Sequence, residues 1–232
     1  MSELSSIIVS ILPYAIGALF SPFLLVNLLE ANSPEKYPRL SSFAYLFGSI
    51  IIFLILVFFG LYIGTGLSAT ILGPIKVGSI IEVALGGILV IIAVKSLFIR
   101  EYARDGGILG FIFSLSEDNN LSVFLKFFYL GFISILSSFA AAILITVAGI
   151  IIGLATPTFT NSAIIIIILG IISLLMIIIA VILYLLSSDY AEDLLDPLRG
   201  WAPSYGDYVA AIVYFILGLF FLIRGFIFFR LI

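Results

Sequence analysis

The sequence predicts an all-α, polytopic membrane protein with six transmembrane helices arranged as two inverted three-helix repeats. Three observations lead there. Hydrophobic residues make up 63% of the 232 and charged residues only 10%, with mean hydropathy +1.38. A soluble domain carries about 25% charged residues. Apolar runs long enough to cross ~30 Å of hydrocarbon recur at about 5–30, 40–64, 76–99, 121–153, 162–187 and 207–229. A polar break around residues 106–120 falls at the midpoint and divides the chain into 1–105 and 121–232.

The first run, Ile11 to Asn27, holds Pro13, Gly17 and the pair Ser21-Pro22. Proline removes a backbone donor and clashes with the carbonyl one turn back, so this helix is expected to kink or unwind. In lipid the released carbonyls must be buried in protein or line a wet cavity. Interrupted helices of this kind often carry the substrate site of transporters; a structural kink satisfied by neighbouring helices is the other reading. Asn27, an amide near the inner end of the run, either bonds a neighbouring helix or touches substrate. The opening MSELSS has a glutamate and no basic segment, so the first run is expected to be retained rather than cleaved as a signal peptide.

Pro34 and Pro38 stop either helix from continuing through the first connection. Spans one and two should therefore lie antiparallel. In span two, Gly60 and Gly64 form a small face that allows a second helix to approach closely. The next connection is Gly-rich and carries Lys76.

Span three contains Glu82, the acidic residue placed well inside a run; Ser79, Glu82 and Gly86 form an i, i+3, i+7 row facing the bundle. Intramembrane carboxylates are costly and usually line pathways or relay protons, so Glu82 is a candidate for proton coupling. The alternative is that it pairs with Lys76 at the interface. The long third connection includes an apolar stretch, Ile108 to Leu115, too short to cross and better suited to an interfacial or re-entrant segment.

Span four is longer than a crossing requires, so it tilts or begins as an interfacial turn. Its serines, Ser134, Ser137 and Ser138, are the expected partners of Ser21. Gly170, Ser173 and Ala180 give span five a small-residue face for packing. The fifth connection reads as a short amphipathic turn with Trp201 and Tyr205 at headgroup level. Asp207 then opens span six as an ordinary helix-dipole cap. Lys95, Lys126 and Arg224 lie near helix ends, where they are expected to snorkel to headgroups.

Two internal similarities suggest the repeat. Spans three and six each end with a basic residue one turn from the end, Lys95 and Arg224, and spans one and four hold Ser-Pro-Phe at 21–23 and Ser-Ser-Phe at 137–139. Repeating an odd number of helices inverts the second copy, and such an interface typically holds the site at mid-depth. Seven Lys and Arg residues at the odd-numbered connections, against Lys76, Arg224 and Arg230 opposite, place those connections in the cytoplasm and both termini outside. The cell membrane is the expected location.

The chain has no cysteine and no histidine. That excludes disulfides, thiol redox relays, histidine-ligated haem and the soft sites that take zinc, cadmium or copper. It also removes the commonest general base, so no enzyme activity and no cofactor are expected. The net charge of −3 is too small to suggest nucleic acid. Expected partners are membrane lipids and a small-molecule or lipid substrate, with a homo-oligomer left open.

Six helices in a three-plus-three arrangement, Ser21-Pro22-Phe23 in the first, and a short basic loop before a second helix opening SSFAYLFGS resemble the lysine-exporter (LysE) superfamily. The final stretch, LLDPLRGWAPSYGDYVAAIVYFILGLFFLIRGF, is similar to the closing pattern of its GAP, or Sap-like, branch, named for peptidoglycolipid addressing. The resemblance implies an exporter, with lipid-linked or glycolipid cargo in that branch and amino acids or ions in the wider superfamily. The lysine-exporter form has Pro-Gly-Pro where this chain has Ser21-Pro22, which disfavours amino-acid export, and the missing Cys and His disfavour metal export.

The expectation is thus a transporter working by alternating access. Pro13, Gly17, Ser21, Pro22 and Asn27 line the pathway, Ser134, Ser137 and Ser138 oppose them, and Glu82 couples protons. A lipid flippase or scramblase would instead need a polar groove open to the bilayer. A non-transporting scaffold would pack the first-helix break tightly and pair Glu82 at the surface.

Overall fold

A computed structural model describes residues 3–21, 27, 38–68, 73–98, 119–155, 158–186 and 188–230. Among them there are eight helices and no strand: α1 (Glu3–Leu19), α2 (Pro38–Ser68), α3 (Gly73–Phe98), α4 (Asn120–Ser137), α5 (Phe139–Leu154), α6 (Phe159–Ser173), α7 (Leu175–Leu186) and α8 (Ser188–Arg230). Among the described residues four helices are long and apolar enough to cross a membrane, and the bent pair α6 and α7 brings the number to five if it is counted as one span. α1 and α5 are shorter apolar helices. Pro22, the central connection with its Ile108–Leu115 stretch, and the side chains of Trp201 and Asp207 lie outside the described residues.

α1 runs through Pro13 and stops at Leu19, with Ser21 already out of helical form. The stop falls just ahead of Pro22, whose ring disfavours helical geometry in the residue before it. α2 has no proline or charge after Arg39 and extends for 31 residues, roughly 46 Å at ~1.5 Å per residue.

Span four is interrupted at Ser138, between α4 and α5. The Ser138 N–H still donates to the Ser134 carbonyl at 3.0 Å, and its carbonyl accepts from Ala142 at 2.9 Å. Span five, expected as one rod, bends by 69° at Leu174. Leu174 stays bonded on both sides, donating to the Gly170 carbonyl at 3.0 Å and accepting from Ile178 at 2.9 Å. The fifth connection is not a short turn either. It is helical and continuous with span six, and its acidic residues Asp189, Glu192 and Asp193 favour a helix start there.

Glycines fix how the helices pass. A Cβ on Gly48 would run into the carbonyl oxygen of Phe128, on Gly60 into that of Thr146, and on Gly64 into that of Ile150. Residue numbers rise together along this seam, so α2 runs parallel to α4 and then α5, backbone against backbone. Phe47, Phe124, Phe128 and Phe132 continue the contact as a ladder of rings with centroids 6.0–6.5 Å apart. α3 and α8 cross in the opposite sense: Gly86 meets the Gly218 carbonyl, and Gly225 meets Ser79 and Val83. α1 is antiparallel to span four, with Gly17 against Leu144 and Ser21 against Ser138.

Candidate functional site

The end of α1 meets the junction of α4 and α5. The hydroxyls of Ser21 and Ser138 lie 2.6 Å apart, both buried. Tyr214 of α8 is buried beside them, its phenol facing both serine side chains. The chain is able to place them so because Ser21 follows the end of α1 while Ser138 is itself the junction of α4 and α5. Two free-rotating hydroxyls and a phenol here can exchange hydrogen bonds among themselves or offer them to a polar group passing between the helices.

One turn along span four, Asn27 donates from Nδ2 to Ser134 Oγ at 2.9 Å, and Ser134 donates to the Leu130 carbonyl at 2.6 Å. The Tyr45 side chain of α2 also reaches Ser134. Asn27 thus bonds the neighbouring helix, one of the two roles considered for it. Ser137 does not join this cluster and is exposed. The reason is helical geometry: Ser134 and Ser138 are four residues apart and share a face, whereas Ser137 is turned by about 100° from Ser138. Gly17 is buried against Leu144 and Leu217, and Pro13 is half-buried within α1.

These geometries give an expected result. Ser134→Ala strands the Asn27 amide in an apolar interior and should lower stability by about 1 kcal/mol. Ser137→Ala should change it by less than about 0.5 kcal/mol. Detergent-titration unfolding of the two variants checks the difference.

A second polar cluster joins α1, α3 and α8. Glu82 is only 5% exposed. Its Oε1 lies 3.4 Å from Arg224 Nε and accepts a hydrogen bond from the Tyr14 hydroxyl at 3.3 Å. Arg224 also donates to Ser10 Oγ at 3.4 Å. Phe221 packs on the Tyr14 ring with centroids 4.5 Å apart, which holds the phenol beside Glu82. Glu82 therefore pairs inside the bundle with Arg224, not at the interface with Lys76. Arg224 is turned toward that carboxylate, its side chain 24% exposed. The close crossing at Gly86 and Gly218 brings the end of α8 level with Glu82, which no pattern within either helix announces.

Lys126 corrects a further expectation. It is 6% exposed rather than extended to headgroups, with Nζ 5.5 Å above the Phe127 ring, a cation–π arrangement. Ser173 was read only as packing. It lies at the bend of span five, 3% exposed, and its Oγ has no hydrogen-bond partner in the structure. Among the described residues no group of three or more His, Cys, Asp or Glu side chains comes together to hold a metal.

Long apolar helices, backbone-to-backbone glycine seams and buried polar clusters at helix breaks define a multi-pass helical membrane protein. A family model described as Sap, sulfolipid-1-addressing protein, matches residues 11–226, which takes in both polar clusters except Ser10. The chain belongs to that family, and so to a group of membrane proteins linked with lipid handling. No curated protein and no solved structure matches it.

Proposed function

We propose that this protein exports an amphipathic, lipid-linked substrate by alternating access between two inverted three-helix halves, 1–105 and 121–232, joined by 106–120. The observation that carries the reading is the buried Ser21–Ser138 contact at 2.6 Å, where the end of α1 meets the junction of α4 and α5. Buried hydroxyls at such helix ends and junctions are where transporters often place a route for something polar. The contact is the shut state of that route, and Tyr214, Asn27 and Ser134 extend it.

Helix pairing supports the inversion. Exchanging spans one, two and three for four, five and six turns the α2 seam with span four into the packing of α6 on α1, and returns the α3 and α8 pair to itself. Spans one and four run in opposite senses, as an inverted copy requires. This arrangement fits the wider lysine-exporter resemblance, with the odd-numbered connections in the cytoplasm and both termini outside the cell membrane. The family description names a sulfolipid, so an anionic glycolipid is the proposed cargo, and transport rather than catalysis is the activity.

Glu82 is the proposed coupling group. It holds α1 through Tyr14 and α8 through Arg224, so gain or loss of its proton changes the tie between the two halves. In liposomes with an imposed pH gradient, the wild type should move a labelled anionic glycolipid and leave labelled amino acids in place. Glu82→Gln should lower the gradient-driven rate by about tenfold or more, equivalent to ~1.4 kcal/mol. Equal rates in variant and wild type would remove the proton role, and amino-acid flux without lipid movement would overturn the substrate.

A further inference from the structure

α1 and α8 lie antiparallel along four contacts that keep step. Ser10 accepts from Arg224 at 3.4 Å, the Tyr14 and Phe221 rings pack with centroids 4.5 Å apart, Gly17 lies against Leu217, and Ser21 faces Tyr214. From Ser10 to Ser21 is eleven residues, roughly 16 Å at ~1.5 Å per residue. One seam therefore joins the Glu82 cluster to the Ser21–Ser138 contact. Which of its elements can move follows from how each is held. α3 and α8 press together where Gly86 meets the Gly218 carbonyl and Gly225 meets that of Ser79, and α2 holds α4 and α5 by the same kind of backbone contact. α1 is tied through side chains instead: Ser10 and Tyr14 to Arg224 and Glu82, Ser21 to Ser138. At Gly17 it passes between α5 and α8 with no side chain of its own, and a Cβ there would lie 2.7 Å from the tips of both Leu144 and Leu217.

We propose that α1 is a lever with its fulcrum at Gly17, through which neutralising Glu82 opens the Ser21–Ser138 contact. Tyr14 donates to Glu82 at 3.3 Å, and a hydrogen bond to a carboxylate is roughly twice as strong as one to a neutral group. A neutral Glu82 also loses its attraction for Arg224, 3.4 Å away, whose other tie is to Ser10 of α1. The α3–α8 pair keeps its backbone contacts, so the element that gives is α1. Its far end draws Ser21 from Ser138, which stays with α4 and α5. Other titratable groups are turned elsewhere or lie farther along. α5 has none, Tyr45 of α2 turns to Ser134, Tyr62 is 78% exposed and Arg39 stands at the start of α2. On α3 itself, Lys76 and Lys95 lie six and thirteen residues from Glu82. The inference rests on the transport reading for what the opening serves, and adds how the proton site reaches the pathway.

The chain has no cysteine, so Ser138→Cys gives a single thiol. Its reaction with a water-soluble methanethiosulfonate reagent, in liposomes and without substrate, reads the opening. Against this background Glu82→Gln and Tyr14→Phe should each speed labelling by about tenfold or more, the scale of losing one hydrogen bond to a charged group. Tyr14→Phe keeps the ring on Phe221 and every charge in place. Combined, the two should do no more than either alone, since both cut the same tie. Ser21→Cys is the reporter if Ser138→Cys folds poorly. Val57→Cys, at a fully buried site in the α2 seam with α5, should stay unreactive in every background. Unchanged labelling in both variants, effects that multiply on combination, or an equal rise at Val57→Cys would each overturn the lever, the last by showing general loosening. Glycolipid flux beside an unresponsive thiol would strike the lever and leave export standing. A responsive thiol in a protein that moves no glycolipid would keep the lever and strike export.

Discussion

Gly60→Leu is expected to cost about 3 kcal/mol or more, enough to abolish a monodisperse folded species in detergent. Overpacking ordinarily costs ~1–3 kcal/mol because neighbouring side chains shift aside. Here no side chain is available to move. The first atom a Cβ would meet is the Thr146 carbonyl oxygen, followed by Ile150 N at 3.0 Å and Gly149 Cα at 3.1 Å, all backbone. Relief requires α2 and α5 to separate, which opens the seam from Gly48 to Gly64 and undoes packing along most of α2. Gly66 provides the control within the same helix, since nothing lies within 4 Å of a Cβ there. Gly66→Leu should leave stability within about 0.5 kcal/mol. Thermal unfolding followed by size-exclusion chromatography checks both, and equal midpoints for the two variants would mean that α2 and span four are not packed backbone to backbone.

Arg224→Met should be nearly as damaging, at about 3–5 kcal/mol, because it leaves the Glu82 carboxylate buried without its cation. The Tyr14 hydrogen bond alone does not replace a guanidinium. Glu82→Gln/Arg224→Met should recover most of that loss, since replacing both members of a buried pair is often close to neutral. The double-mutant cycle then yields a coupling energy between α3 and α8. Additive effects in detergent unfolding would show that the ion pair contributes nothing to stability. The cycle also separates a structural role from the proposed transport role: Glu82→Gln alone should reduce gradient-driven flux more than it reduces stability.

Much of the bundle was legible along the chain. The end of α1 at Leu19 was marked by Ser21-Pro22, because a residue before proline is steered away from helical geometry. The inward row of Ser79, Glu82 and Gly86 followed from helical periodicity, and all three are buried. Gly60 and Gly64 were read as a packing face and lie in the seam with α5. The pairing of Ser21 with span four was also anticipated, through the likeness of Ser-Pro-Phe and Ser-Ser-Phe.

Which serine answered it was not, and neither was the break at Ser138, since no proline or glycine stands there. The 69° bend at Leu174 was missed for the same reason. Lys126 and Arg224 were assigned to headgroups on their distance from helix ends. That rule measures depth and ignores which neighbour occupies the same level.

The sequence alone determined the class of protein, the positions of its long apolar helices and the weak point of the first, because run length, charge content and proline act within one or two turns of chain. Only the tertiary structure decided that Glu82 pairs with Arg224, that Ser138 and not Ser137 faces Ser21, and that Tyr214 joins them. Those choices depend on how far one helix slides along another and where they cross. In this bundle the crossings are set by carbonyl oxygens pressed against glycines on a different helix, a contact between residues far apart in the chain that no local pattern contains.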